Sequence, residues 1–287
     1  MVFGKILRIL TLMGATALPF IAQSVQAEEG SQTLRMASDV GFAPFAMVDP
    51  SGGYRGFSID LANALAERMG YESADVMDVQ FNSIFSGLYA GRYDMILAPT
   101  DITHERAEKM LFTEGYMSNQ LGFLMRGDAD VEGPEALKDL TLAVNSGSVA
   151  EGWASAHQKQ YGFEIQRYNQ NTDAVQAVMS GQADVNVTDS PAADYVAMQQ
   201  SRLSVAFDVD TGSQVGLAFS QDNRELRDRA DRALEQMKAD GTLVSLYKTW
   251  FGGEPPTGGA MTTISVGRGQ PGMPGYELTF TQDSETP

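Results

Sequence analysis

The chain has no cysteine, which excludes a disulfide framework, thiolate zinc sites, iron–sulfur ligation and a cysteine nucleophile. Positive charge is scarce: 20 Lys and Arg stand against 37 Asp and Glu in 287 residues, a net charge of −17. Nucleic-acid affinity rests on basic side chains, so no nucleic-acid partner is expected. Histidine is nearly absent. His104 and His157 lie far apart with no partner at i+4, and Asp128/Asp130 and Asp208/Asp210 lack the calcium-loop spacing, so no metal is expected. G-x-S-x-G, H-E-x-x-H and P-loop patterns are missing as well. Gly267-Arg-Gly-Gln-Pro-Gly272 matches G-x-G-x-x-G by letter, but it follows no buried strand and places proline where a helix should begin. No cofactor and no catalytic residue are therefore expected.

Long apolar runs are missing except at the start. Lys5 and Arg8 precede an apolar stretch over Ile9–Ala22, and Val25-Gln26-Ala27 is a small-x-Ala cleavage signal. Residues 1–27 read as a secretory signal peptide cleaved near Ala27, and the product is expected to be periplasmic. No cysteine follows the run, so no lipid anchor is expected. Removing Lys5 and Arg8 leaves 18 basic against 37 acidic residues, a net −19.

What is present is enough for a real core: 43% of residues are hydrophobic, and the length favours two lobes. Strands are expected at 33–37, 75–81 and 93–98, alternating with helices at 59–69 and 84–90. This is an α/β pattern with a largely parallel sheet. An extended segment at 121–125 leads to a second α/β series, with strands at 141–144, 165–168 and 183–187 and helices at 148–161, 172–180 and 190–199. A strand at 215–219 and helices at 226–240 and 243–250 follow. The expected organisation is a first lobe over 28–124, a second over 125–215, a return to the first over 216–252, and a flexible Gly/Pro-rich tail over 253–287.

Polar and aromatic residues gather at strand ends. Asp39 and Phe42 follow the first strand; Thr100, Asp101 and Arg106 follow the strand ending at Ala98; Ser146-Gly147-Ser148 and Thr188-Asp189 follow two strands of the second series. Ligands of open α/β sheets sit outside the carboxyl ends of strands, so these loops line one crevice. An arginine can grip a carboxylate bidentately, and an aspartate facing it suits an ammonium group.

The segments APF (43–45), GYRGFSIDLANALAERMG (53–70), FNSIFSGLYAGRYDMILAPTDITHER (81–106), FTEGY (112–116), AVNSGS (143–148) and SGQADVNVTD (180–189) resemble the periplasmic binding proteins of polar amino-acid ABC transporters (family 3 extracellular solute-binding proteins). The resemblance covers roughly residues 33–251. It implies an α/β two-lobe fold with a two-strand hinge near 121–126 and 215–219. It further implies a binding role rather than an enzymatic one, a small-molecule ligand, delivery to a membrane ABC permease, and a monomer. Carried over by position, Arg106 would hold the ligand carboxylate, Asp189 the α-ammonium, and Ser148 a further carboxylate contact. Phe42 and Phe81 would sandwich the side chain, Asp39 would sit at its far end, and Thr100 and Asp101 would line the wall.

One departure stands out. Five residues before the arginine, where the family commonly has Ser or Thr, this chain has Asp101, and Pro99 replaces a small residue. A carboxylate there repels a ligand carboxylate unless it turns away or meets a cation. It points to a ligand with extra positive charge: a basic amino acid, an opine-like conjugate or a compatible solute. The alternative is that Asp101 only caps a helix over 103–110. Two other readings remain open: a periplasmic dehydratase of prephenate-type substrates using Asp101 or Glu151 as general acid, and an accessory partner of a quinoprotein dehydrogenase.

Overall fold

The computed structural model describes Met1 and residues 33–127 and 131–278. The signal-peptide reading, Asp128/Asp130 and the last nine tail residues lie outside the described residues.

In chain order the elements are β1 (Thr33–Ser38), β2 (Met47–Val48), β3 (Tyr54–Arg55), α1 (Phe57–Arg68), β4 (Ser73–Asp78), α2 (Phe81–Tyr89) and β5 (Met95–Asp101). Then come α3 (His104–Ala107), β6 (Leu111–Phe112), β7 (Met117–Arg126), β8 (Thr141–Asn145), α4 (Val149–Tyr161) and β9 (Glu164–Tyr168). The last are α5 (Asn171–Ser180), β10 (Val185–Asp189), α6 (Ser190–Gln199), β11 (Leu203–Phe219), α7 (Arg224–Ala239) and α8 (Thr242–Phe251).

The main sheet runs β4-β1-β5-β11-β7-β10-β8-β9. At one end β1 is parallel to β4 and β5; at the other β8 is parallel to β9 and β10. The antiparallel pair β7 and β11 joins them. Two cores gather on the first series, one around Leu34, Met36, Phe57 and Leu61 and one around Ile84 and Ile96. Two more gather on the second, around Phe123 and Val144 and around Leu124 and Val178. Helix ends follow local chemistry. Ser148 accepts the Glu151 N–H at the start of α4, and Gly162 ends that helix at φ 74°, a left-handed position glycine occupies without steric cost.

Three boundaries differ from expectation. Helix α2 starts at Phe81 rather than 84. Strand β5 continues through Thr100 and Asp101. Strand β11 reaches back to Leu203, so the linking segment is a 17-residue strand rather than the five residues 215–219. Its polar stretch between 207 and 214 hides it from an apolar pattern; pairing with β7 holds it extended.

The expectation of a flexible tail does not describe residues 253–278. They form no helix or strand longer than a single bridge, yet they lie along the first series and bury Ala260 and Met261. Their backbone serves buried charges. The Ser265 N–H donates to Glu114 (2.7 Å), the Gly269 N–H donates to Asp231 (2.8 Å), and Thr263 C=O accepts from Lys238 (2.9 Å). The glycine-rich 267–272 run thus serves packing.

Candidate functional site

A cavity opens where the two series meet, at the carboxyl ends of β1, β5, β8 and β10. Its lining includes Asp39, Phe42, Phe81, Pro99, Asp101, Asn145, Ser148, Thr188 and Asp189. About 460 Å³ of space between protein atoms lies there, open solvent at the mouth included. Six of the eight residues singled out in the sequence meet there: Asp39, Phe42, Phe81, Asp101, Ser148 and Asp189.

Strand β5 shapes one wall. Pro99 has no N–H to give the ladder, and the pairing of β5 with β11 is irregular at this point, between Gly216 and Ala218. Asp101, the last residue of β5, is 4% exposed. Its Oδ1 accepts from Asn119 Nδ2 (2.8 Å) and from Ser213 Oγ (2.6 Å). The same Asn119 amide donates to Asp189 Oδ1 (2.9 Å). One amide from β7 therefore holds two carboxylates, one from each series. Asp101 is not a helix cap: Thr103 accepts the Arg106 N–H at the start of α3.

The electrostatics are those of crowded acids. Removal from bulk water, then the neighbouring Asp101 charge, raises the Asp189 carboxyl to about 7, against the pull of Asn119 and Arg106. Tyr116, wholly buried nearby, is also pushed upward by burial and by both acids. Asp39 is raised chiefly by burial, although the N–H groups of Gly41 and Phe81 donate to it. Among the described residues, none of Asp39, Asp101 and Asp189 forms an ion pair.

Two expected residues stand elsewhere. Thr100 is fully buried and its hydroxyl donates to Ala98 C=O (2.7 Å), because strand alternation turns it away from Asp101. Arg106 is absent from the lining. Its guanidinium donates to Asp101 C=O (3.0 Å) and to Gly147 C=O (3.0 Å), and it lies over the rings of Phe81 and Phe85. Burial lowers its pKa, although Asp101 and Asp189 oppose the shift. Arg106 thus clasps the two series across the cavity mouth.

Asn119, Asn145 and Ser213 were missed from sequence. Asn119 did leave a signal: in β7, Met117, Asn119 and Leu121 are buried while Ser118 and Gln120 are exposed, so a polar residue sits on the buried phase. Glu151, weighed from sequence as a general acid, accepts hydrogen bonds from the Gly147 N–H and from Arg167. Against the upward push of its partial burial, the Gly147 N–H and the Arg167 guanidinium hold it below its ordinary range.

A sheet of two parallel halves joined by two long strands, with a polar cavity between, defines the two-lobe class of ligand-binding proteins. Residues 34–253 match the family model of bacterial extracellular solute-binding proteins, family 3, and the chain belongs to that family. The arginine-binding extracellular protein ArtP of Bacillus subtilis (strain 168) is 29% identical over 230 residues, covering 79% of this chain and 89% of that protein. Among solved structures, an ancestral arginine-binding protein bound to arginine matches with TM-score 0.72 and 30% identity, covering 76% of this chain and 98% of that one. The ancestral amino acid-binding protein AncCDT-1, a precursor of cyclohexadienyl dehydratase, matches with TM-score 0.69 and 33% identity, covering 76% and 95%. Among the described residues no helix is long and apolar enough to cross a membrane.

Proposed function

We propose that this protein captures an amino acid or close derivative carrying extra positive charge and delivers it to a membrane ABC permease. It acts as a monomeric periplasmic carrier, without catalysis, after loss of residues 1–27. The observation that supports this most is the Asp101–Asn119–Asp189 arrangement, two carboxylates held together in a cavity wall without a cationic side chain. An ammonium or guanidinium placed there relieves their repulsion and reaches both at once.

In this reading the lobes are 28–124 with 216–252, and 125–215, so the limits fall inside β7 and β11. The ligand bridges Asp101 on one lobe and Asp189 on the other and so favours the closed form. Moving an open–closed equilibrium from 1:99 to 99:1 takes about 5.5 kcal/mol of differential binding, within the roughly 8 kcal/mol of a micromolar ligand. Asp39, Phe42, Phe81 and Ser148 complete the contacts, with Arg106 at the mouth. Calorimetric titration with basic, neutral and acidic amino acids tests the reading: basic ones and their derivatives bind, and acidic ones do not. Selective binding of glutamate would overturn it.

A further inference from the structure

The cavity lining offers carboxylates at two separate places. Asp101 and Asp189 share Asn119 at one. Asp39 lies at the other, near Asp78, Asn145 and the Phe81 N–H. Phe42 and Phe81 line the space along with them. Lys, Arg and His are absent from this lining. Two of the five N–H groups of Arg106 are engaged by the carbonyls of Asp101 and Gly147, one on each terminal nitrogen. Each of Asp101 and Asp189 keeps its second oxygen without a protein hydrogen bond among the described residues, whereas its first is satisfied.

A basic α-amino acid fits this lining poorly at one point. With its ammonium on Asp101 and Asp189, its carboxylate stands one carbon away, beside two like charges, while Arg106 is engaged with carbonyls at the mouth. Removing that carboxylate removes the conflict and keeps both positive ends. We propose that the preferred ligand is a dication without a carboxylate, an α,ω-diamine or guanidinoalkylamine of the kind made by decarboxylating lysine or arginine. One cationic end lies on Asp101 and Asp189, the alkyl chain lies along Phe42 and Phe81, and the other end lies on Asp39. Asp101 is then the residue that sets specificity, and a decarboxylation reaction is the class that supplies the ligand. This rests on the reading of the cavity as a capture site for small organic cations.

The test is calorimetry on the full chain at pH 8 with agmatine, arginine, cadaverine and lysine. Each amine is expected to bind at least tenfold more tightly than its parent amino acid. D101S is expected to shift that ratio at least tenfold towards the amino acids, and R106A is expected to weaken an amine and its parent acid by the same factor, because the clasp acts on closure. Arginine and lysine binding as tightly as their amines in the native protein would overturn this proposal and leave the capture reading standing. A selective loss of the amino acids in R106A would also overturn it, since it would place their carboxylate on Arg106. Failure of all four compounds to bind would sink both.

Discussion

Ligand affinity should fall steeply as pH drops through neutrality, and the cavity sets the amount. Asp189 ionises near pH 7 because it is withdrawn from bulk water and faces Asp101. A cation needs the ionised form, so protons and ligand compete. With an apparent pKa of about 7 the ionised fraction falls from about 0.9 at pH 8 to about 0.1 at pH 6. The expected loss is therefore about tenfold in affinity. Because the two carboxylates share one donor, the value belongs to the pair rather than to Asp189 alone. Titration calorimetry of one cationic ligand at both pH values reads the loss. Repeating it at pH 6 in buffers of different ionisation enthalpy reads the proton directly, with close to one released per ligand bound. The Asp189→Asn variant should bind weakly and without this slope. An affinity that is flat between pH 6 and pH 8, with no proton released, would refute the account of the acid pair.

The ligand-free protein should show the opposite trend in stability. The folded-state pKa values of Asp189 and Asp231, about 7 and about 6, both lie above the ordinary 3.8, so protonation favours the fold. That contribution is complete below the unfolded value and is lost as pH rises through about 6 to 7; denaturant unfolding should give up to about 4 kcal/mol more stability at pH 5 than at pH 8. Ending the chain after Gly253 should lower the melting temperature by at least roughly 6 °C. It strips tail partners from Glu114, Asp231 and Lys238, and each orphaned buried group costs about 1–3 kcal/mol. Asn119→Ala removes the donor shared by the two acids. Affinity for a cationic ligand at pH 7 should then drop by at least tenfold, with the midpoint of the pH profile displaced upward.

Much of this was legible because it is local. The alternation of strands and helices follows from apolar period and glycine stops, and Gly70 and Gly181 end their helices where the pattern does. Loops at strand ends brought Asp39, Phe42, Asp101, Ser148 and Asp189 together on a topological argument, and the family resemblance added Phe81. The errors are those that pairing decides. The polar middle of β11, between 207 and 214, carries no apolar run, and only its ladder with β7 makes it a strand. Thr100 looked like a wall residue until the strand carried through it and alternation turned it inward. The tail looked unstructured by composition, but its backbone N–H and C=O groups find buried charges on α7 and before β7.

The sequence by itself determined the acidic balance, the absence of thiols, the two α/β series and the presence of an aspartate in place of Ser or Thr at position 101. It did not determine which acids meet. Asp101 and Asp189 are 88 residues apart in the chain. They come together because β5 and β10 flank the linking pair β11 and β7, so that Asn119 on β7 lies within reach of both. The hydrogen bond from Arg106 to the Gly147 carbonyl of the other series was likewise a tertiary matter. Charge is a property of composition. Its meeting across a cleft is a property of strand order.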